Sequence, residues 1–140
     1  MIPINYIGVV LAAISNMVIG YLWYGPLLGK AWNKEMGFAD GSMTGAKNKS
    51  MAKSYGLMAL GALVMAWVLA HAIVFSSSYM NMKGVGAGLM TGFMSWLGFV
   101  APVTIASVLW EGKSWKFWLI NNGYFLVALL VMGIIIGLFI

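Results

Sequence analysis

The sequence contains no cysteine and no arginine, and only three of its 140 residues are aspartate or glutamate. Without cysteine there is no disulfide framework and no thiolate to act as a nucleophile or metal ligand. Without arginine the chain lacks the side chain that grips phosphates and carboxylates through paired hydrogen bonds, which argues against nucleic-acid binding. The single histidine leaves too few ligands for a zinc site, so we expect neither a metal nor a cofactor.

Charged residues are scarce and apolar residues are abundant. Charged residues make up 8% of the chain and apolar residues 62%, whereas an ordinary soluble domain has roughly 25% charged residues. The apolar residues form stretches of about 20, the length that a helix needs to cross the hydrocarbon core of a bilayer. Strand-like alternation is absent, and in lipid only helices and closed barrels satisfy their backbone. The sequence therefore predicts an all-α integral membrane four-helix bundle, with residues 1–140 in a single domain.

Four transmembrane helices are predicted, at about residues 4–24, 54–75, 84–108 and 116–140. We interpret the first as a retained helix and not a signal peptide, because no basic region precedes it. Gly25-Pro26 is predicted to end the first helix, and Pro102 to kink the third near Gly98. Between the first two helices, residues 27–37 are predicted to form a short interfacial helix. A loop at 39–45 and a helical lead-in from residue 46 would follow it.

Lysine and tryptophan concentrate on one side of the predicted bundle. The first and third loops, with the adjoining helix end, contain seven of the lysines, whereas the second loop contains Lys83 alone. The positive-inside rule therefore places loops one and three in the cytoplasm and both termini outside. The same lysines suit the anionic headgroups of membrane lipids. An interfacial aromatic belt is predicted on that side, formed by Trp23, Trp32, Trp110, Trp115 and Trp118.

Small residues at four-residue spacing predict that the helices pack closely. Lipid offers no hydrophobic drive for helices to associate, so close backbone approach must supply the attraction. The small-residue faces are Gly84, Gly88 and Gly92 on the third helix, Gly133 and Gly137 on the fourth, and Gly8, Ala12, Asn16 and Gly20 on the first. Two alternatives stay open: packing within one bundle, or a seam between copies in a homo-oligomer.

Polar side chains from three helices are predicted to meet near the lysine-bearing side. They are Asn16 and Tyr24 of the first helix, Thr104, Ser107 and Glu111 of the third, and Asn121 and Asn122 of the fourth. Polar groups inside a membrane face protein or water, so these residues predict a cytoplasm-facing binding pocket. The structural alternative is that the amides and hydroxyls only join neighbouring helices, while Glu111 is an interfacial carboxylate beside Lys113 and Lys116.

His71 lies in the outer half of the predicted second helix. A hydrogen bond to a neighbouring helix is its structural interpretation, and a proton relay or a ligand contact is its functional one. We include His71 among the candidate binding residues.

Several tracts of the sequence together resemble a known family. They are residues 21–32 (YLWYGPLLGKAW), residues 35–38, the tract at His71, residues 96–102, and Glu111 before a tryptophan-containing fourth helix. This combination resembles the uncharacterised bacterial membrane family named domain of unknown function 1761, over nearly the whole chain. The resemblance implies a compact four-span protein, which we would place in the inner membrane. It implies no activity.

Three classes of function are compatible with these features. The first, which we adopt as the prediction, is a homo-oligomeric protein that binds or translocates a small molecule, ion or lipid through the polar pocket. Small four-span exporters usually carry a carboxylate in their first span, which this chain lacks. The second class is a membrane enzyme acting on a lipid or quinone-like substrate, although no Ser-His-Asp set or phosphate-binding glycine loop is visible. The third is a scaffold subunit of a membrane complex.

Overall fold

The computed structural model of the chain describes residues 4–36 and 51–140. These residues form helices and turns and no strand, which confirms the predicted all-α fold. Four helices are long and apolar enough to cross a membrane, as predicted: Tyr6–Leu27, Ala52–Met80, Gly84–Leu109 and Trp115–Gly137. We call them spans one to four.

The spans contain the following elements. Span one is helix α1 (Tyr6–Leu22) followed by a π-helical turn (Trp23–Leu27), and the short helix α2 (Gly29–Met36) comes next. Span two lies within helix α3 (Met51–Met80). Span three comprises α4 (Gly84–Ser95), a second π-helical turn (Trp96–Val100), α5 (Ala101–Thr104) and α6 (Ala106–Leu109). Span four is α7 (Trp115–Gly137). The predicted loop at 39–45 and most of the predicted lead-in helix lie outside the described residues.

Pro26 does not end span one at Tyr24, and that prediction is wrong. The backbone continues through Gly25 and Pro26 as a π-helical turn, in which the Leu28 N–H donates to the Trp23 carbonyl at 2.8 Å. A π-helical turn holds one residue more than an α-helical turn, and proline has no N–H to contribute. The wider turn therefore accommodates the proline, and the span extends to Leu27.

Span three departs from regular α-helix around Pro102, as predicted. The π-helical turn contains Gly98, and the two short helices that follow are separated at Ile105. Proline cannot donate to the carbonyl one turn earlier, so the helix is weakened on the N-terminal side of Pro102. This irregular stretch forms the part of span three that faces the candidate site.

Side chains and tight turns fix the ends of the spans. The Asn5 side-chain oxygen accepts from the Ile7 and Gly8 N–H groups at 3.0 and 3.2 Å, which caps span one. Ser114 caps span four by accepting from the Phe117 N–H at 3.0 Å. Gly112, between spans three and four, has φ of 72°, a left-handed conformation that glycine adopts without strain.

Spans three and four pack backbone to backbone along their glycine stripes. Gly88 and Gly133 face each other so closely that a Cβ on either would overlap the other's carbonyl. A Cβ on Gly92 would lie 2.7 Å from the Leu129 carbonyl oxygen, and one on Gly137 would lie 2.6 Å from that of Gly84. These stripes therefore meet within the chain, which is the first of the two alternatives.

The small residues of span one also face the same chain. A Cβ on Gly8 would lie 2.9 Å from Cδ2 of Phe139, and one on Gly20 would lie 3.2 Å from the Tyr124 hydroxyl. Ala12 and Asn16 between them are buried. The stripe predicted on span one therefore packs on residues near and within span four.

We call the end of the bundle that contains both termini the apolar half. Its core is rich in alanine, whose small side chain lets the helices approach closely. The buried cluster consists of Val9, Ala12, Ala13, Ala62, Ala66, Leu69, Ala70, Ile73, Ala87, Leu129, Met132 and Ile136.

Span two joins the bundle over only part of its length. Its buried residues run from Ala62 to Ser77, whereas residues 52–58 are exposed on every side of the helix. A Cβ added to Gly56 or to Gly61 would have no neighbouring atom within 4 Å. The other end of the bundle, which we call the polar half, is consequently built by spans one, three and four.

Candidate functional site

Span one is joined to span four by a buried hydrogen bond in the polar half. The Tyr124 hydroxyl donates to Oδ1 of Asn16 at 2.6 Å and lies 3.3 Å from the Asn16 carbonyl oxygen. Asn16 is only 7% exposed, and Tyr124 is buried beside it. Each residue therefore supplies a partner for the other's polar atom, which lowers the cost of burying both.

Tyr24 makes a second link between the same spans. Its hydroxyl donates to Oδ1 of Asn121 at 2.7 Å. Its ring meets the rings of Tyr124 and Trp32 edge to face, with centroid distances of 5.3 and 5.4 Å. Since Trp32 belongs to α2, Tyr24 connects the short helix, the π-helical turn and span four.

The two π-helical turns share a feature that the sequence did not reveal. Each begins with a tryptophan whose indole N–H donates to a backbone carbonyl of span four. Trp23 donates to Ile120 at 2.8 Å and Trp96 donates to Asn122 at 3.0 Å. A helical carbonyl has a second lone pair available, so it can accept from an indole in addition to its own helix. Trp23 was predicted only as part of an interfacial belt.

The Asn122 side chain joins span four to span three in the polar half by a hydrogen bond. Its Oδ1 accepts from the Thr104 hydroxyl at 2.9 Å, and its Nδ2 donates to the Trp118 carbonyl at 3.0 Å. The Thr104 hydroxyl also lies 2.8 Å from the Val100 carbonyl oxygen and 3.2 Å from that of Ala101, so three acceptors compete for its single proton. Asn122 is 1% exposed, and its amide is bonded at both its oxygen and its nitrogen.

A cavity of about 250 Å³ lies between spans three and four in the polar half. It reaches from the buried Asn122 to Glu111, which is exposed at the end of span three. Its lining residues are Val103, Thr104, Ala106, Ser107, Glu111, Phe117, Trp118, Asn121, Asn122 and Phe125.

Five of the eight predicted site residues line this cavity: Thr104, Ser107, Glu111, Asn121 and Asn122. Asn16 and Tyr24 do not line it. They bond instead to Tyr124 and Asn121, and so hold the segment of span four that forms one wall of the cavity. The structure thus divides the predicted pocket into a cavity and a neighbouring hydrogen-bonded layer.

His71 lies apart from the cavity, on span two. Its Nδ1 is 2.8 Å from the carbonyl of Trp67, one turn earlier in the same helix, and its ring is 4.4 Å from the Trp67 ring. The expected hydrogen bond to a neighbouring helix is therefore replaced by one within span two. Thr91 of span three is hydrogen-bonded to Ser76 of span two.

The apolar wall of the cavity is the part that sequence reasoning missed. It includes Phe117, Trp118 and Phe125 of span four. Phe117, Asn121 and Phe125 recur every four residues, and residues with this spacing share one helix face. Counting four residues in each direction from the predicted Asn121 would therefore have identified Phe117 and Phe125.

The charges around the cavity are unevenly placed. Glu111 is the one charged residue among the described residues of the lining, and this carboxylate makes no hydrogen bond or ion pair with any other residue that the structure describes. The Lys113 ammonium lies 5.4 Å from the centroid of the Phe117 ring, outside the lining. Glu35 of α2 accepts from the Ser114 hydroxyl at 2.7 Å, which ties the short helix to the loop after span three.

Within residues 4–36 and 51–140, no group of three or more histidine, aspartate or glutamate side chains is placed to hold a metal ion. The arrangement instead offers hydroxyl, amide and carboxylate groups beside aromatic rings. Such a surface is suited to binding an organic molecule by hydrogen bonds, charge and ring contacts.

Four apolar spans with a polar cavity at one end define a small multi-pass helical membrane protein. The family model described as protein of unknown function (DUF1761) matches residues 7–137. The chain therefore belongs to this family, domain of unknown function 1761, and the resemblance noted in its sequence is confirmed. No curated protein and no solved structure matches the chain significantly.

Proposed function

We propose that this protein binds a small molecule or a lipid in the cavity between spans three and four, as a carrier, channel or lipid-binding module. The observation that supports the proposal is the cavity itself, with a volume of about 250 Å³ and five polar residues in its lining. Sites for drug-sized ligands measure roughly 300–1,000 Å³. The ligand, or the part of it that enters the protein, is therefore small.

The cavity keeps hydrogen-bonding capacity that the protein itself does not use. The Thr104 hydroxyl is hydrogen-bonded to Oδ1 of Asn122, but the Asn121 amide nitrogen has no acceptor among the described residues. Ser107 donates to the Thr104 carbonyl at 2.8 Å, which leaves the lone pairs of its hydroxyl oxygen available. An unused donor, an unused acceptor and the Glu111 carboxylate thus border one space, as a binding site requires.

We place the cavity at the cytoplasmic side of a bacterial inner membrane, with both termini outside. The supporting feature is the clustering of lysines at the polar half, including Lys30, Lys34, Lys113 and Lys116. Positively charged loops are retained in the cytoplasm. A reporter that is active only in the cytoplasm should give no signal when fused to either terminus, and strong signals from both would reverse the orientation.

We also propose that the protein forms a homo-oligomer, although the glycine stripes do not support one. Those stripes pack within the chain, so a seam between copies would use other surfaces, such as the exposed turns of span two around Gly56 and Gly61. Cross-linking in native membranes through a cysteine at Gly56, in a chain that has no other cysteine, would test this seam.

Filling the cavity provides the test of binding. Ala106→Phe places a ring in the cavity lining, whereas Ala52→Phe places one on an exposed position of span two. Native mass spectrometry of gently solubilised protein should show a retained small molecule or lipid on the wild type and on Ala52→Phe. The adduct should be lost from Ala106→Phe at an unchanged melting temperature.

Identical adducts on all three proteins would contradict the proposal, and so would their absence from the wild type. Flux of the identified ligand in proteoliposomes would then separate translocation from binding alone.

A further inference from the structure

We infer that the ligand of the cavity between spans three and four is a small organic cation with an apolar body, whose ammonium group lies by Glu111. This inference rests on the proposed function, since it names the chemical class of ligand that the same cavity takes. It is carried by the charge of the lining, by its aromatic wall and by the arrangement of polar and apolar groups along it.

Among the described residues the charge of the lining is negative. Glu111 contributes a carboxylate, and none of the described lysines belongs to the lining. The carboxylate has no ion-pair partner among the residues that the structure describes. A cation entering the cavity would therefore meet a carboxylate that forms no ion pair with a described residue, whereas an anion would meet a like charge at the exposed end.

The aromatic wall is suited to the same class of ligand. The faces of aromatic rings attract ammonium groups, and quaternary ammonium ligands are commonly held in this way. Phe117, Trp118 and Phe125 all line the cavity. The Lys113 ammonium already lies 5.4 Å from the centroid of Phe117, within the roughly 6 Å over which such contacts act. Phe117 is therefore already in contact with a cation of the protein itself, and Trp118 and Phe125 are the rings left for a ligand.

The order of groups along the cavity sets the orientation of the ligand. Ser107 lies on the last turn of span three and Glu111 just after that span, toward the exposed end, whereas Asn122 is at the buried end. Val103, Ala106 and Phe125 supply apolar surface. A ligand with its ammonium by Glu111 and its hydrocarbon part against these side chains would match both kinds of lining.

An anionic or neutral ligand is the competing possibility, because the lining also offers donors. The Asn121 amide nitrogen has no acceptor among the described residues, whereas the Trp118 indole nitrogen is buried without one and has almost no surface that a ligand could reach. The Asn121 amide is neutral and would also serve an ether, ester or hydroxyl oxygen of a cationic ligand. The formal charge of the lining favours the cation, and the experiment compares all three classes.

The probes are three molecules of nearly the same size and shape. They are benzyltrimethylammonium, its uncharged counterpart neopentylbenzene, and the anion benzylsulfonate. Dissociation constants would be measured at low salt for the full chain in nanodiscs of net-neutral lipid, with empty nanodiscs as the blank. We expect benzyltrimethylammonium to bind more tightly than either of the other two.

Two charge-matched variants locate the site. Glu111→Gln should weaken binding of the cation about fivefold, since an exposed ion pair contributes up to about that factor. Glu35→Gln removes the same charge from α2, where the carboxylate bonds to Ser114 and does not line the cavity. It should leave the affinity unchanged. Because Glu111 is exposed and bonded to no described residue, its replacement should preserve the melting temperature, which would be measured alongside.

Equal affinity for neopentylbenzene, or higher affinity for benzylsulfonate, would overturn the cation assignment while leaving the cavity as a binding site. Cation binding that Glu111→Gln does not change would also overturn it. If none of the three probes binds but native mass spectrometry still shows a ligand that Ala106→Phe removes, the assignment fails and the proposed function stands. If that adduct is missing as well, both fail.

Discussion

In the apolar half of the bundle Gly88 and Gly133 bring the backbones of spans three and four into direct contact, whereas in the polar half Thr104 and Asn122 join the same two spans through their side chains. Both arrangements solve the same problem, because lipid provides no hydrophobic force between helices. They leave very different amounts of space. The apolar half has a void of about 10 Å³ near Asn5 and Ile136, while the polar half has the cavity of about 250 Å³.

A small membrane protein can thus combine closely packed helices in one half with an internal cavity in the other. Glycine contacts let helices approach until nothing fits between them, which maximises dispersion contacts. Asparagine, threonine and tyrosine act as spacers of defined length, so the helices they join remain further apart. Space for a ligand therefore occurs where hydrogen bonds replace backbone contact.

The largest expected effect comes from breaking the glycine contact. Gly88→Leu would place a side chain where the Gly133 carbonyl lies, so spans three and four would have to separate. We expect a loss of about 3 kcal/mol of unfolding free energy, at the upper end for overpacked sites. The measurement is unfolding by SDS in mixed micelles. Gly61→Leu is the matched control, since no atom lies within 4 Å of its new Cβ. Equal losses of unfolding free energy in the two variants would refute the contact between Gly88 and Gly133.

A smaller effect is expected from removing a hydrogen bond in the polar half. Tyr124→Phe leaves Oδ1 of Asn16 buried without its partner, which should cost about 1 kcal/mol of unfolding free energy. Tyr79→Phe is the control, because that side chain is 91% exposed. A double-mutant cycle with Asn16→Ala isolates the pair. Additive losses would show that the two side chains do not interact.

The smallest effect is expected at the second π-helical turn. Trp96→Phe removes the indole N–H that donates to the Asn122 carbonyl, and this carbonyl keeps its place in the helix of span four. We expect a loss of about 0.6 kcal/mol, the average for a hydrogen bond between membrane helices. Trp110→Phe, at an exposed tryptophan, serves as the control in the same SDS titration. A loss above that of Tyr124→Phe would reverse the order proposed for the two sites.

The sequence predicted best what depends on composition and spacing. Apolar stretches identified the spans, and the four-residue spacing of Gly84, Gly88 and Gly92 identified a close contact, though not its partner. The partner depends on which helix lies next to span three, which spacing within one helix does not encode. Pro26 was misjudged because a π-helical turn tolerates a proline that an α-helix would exclude.

For the candidate site, the position of each residue along its span was predictable, and the direction of its side chain was not. Counting residues along each span brought Thr104, Ser107, Glu111, Asn121 and Asn122 to one level, and all five line the cavity. The same count could not show that Tyr24 and Asn16 lie in the adjoining hydrogen-bonded layer. It also could not show where an indole N–H points, so the roles of Trp23 and Trp96 emerged only from the structure.

Span four makes most of the contacts between the spans, although span two also packs on spans one and three, and span four is synthesised after the other three. Spans one and three would enter the bilayer with their glycine faces, and with the indole groups of Trp23 and Trp96, still lacking the helix on which they pack. During translation the membrane would hold a loosely associated intermediate, open to lipid and to quality-control proteases. The packing of spans one and three would then be completed only when residues 115–137 are inserted.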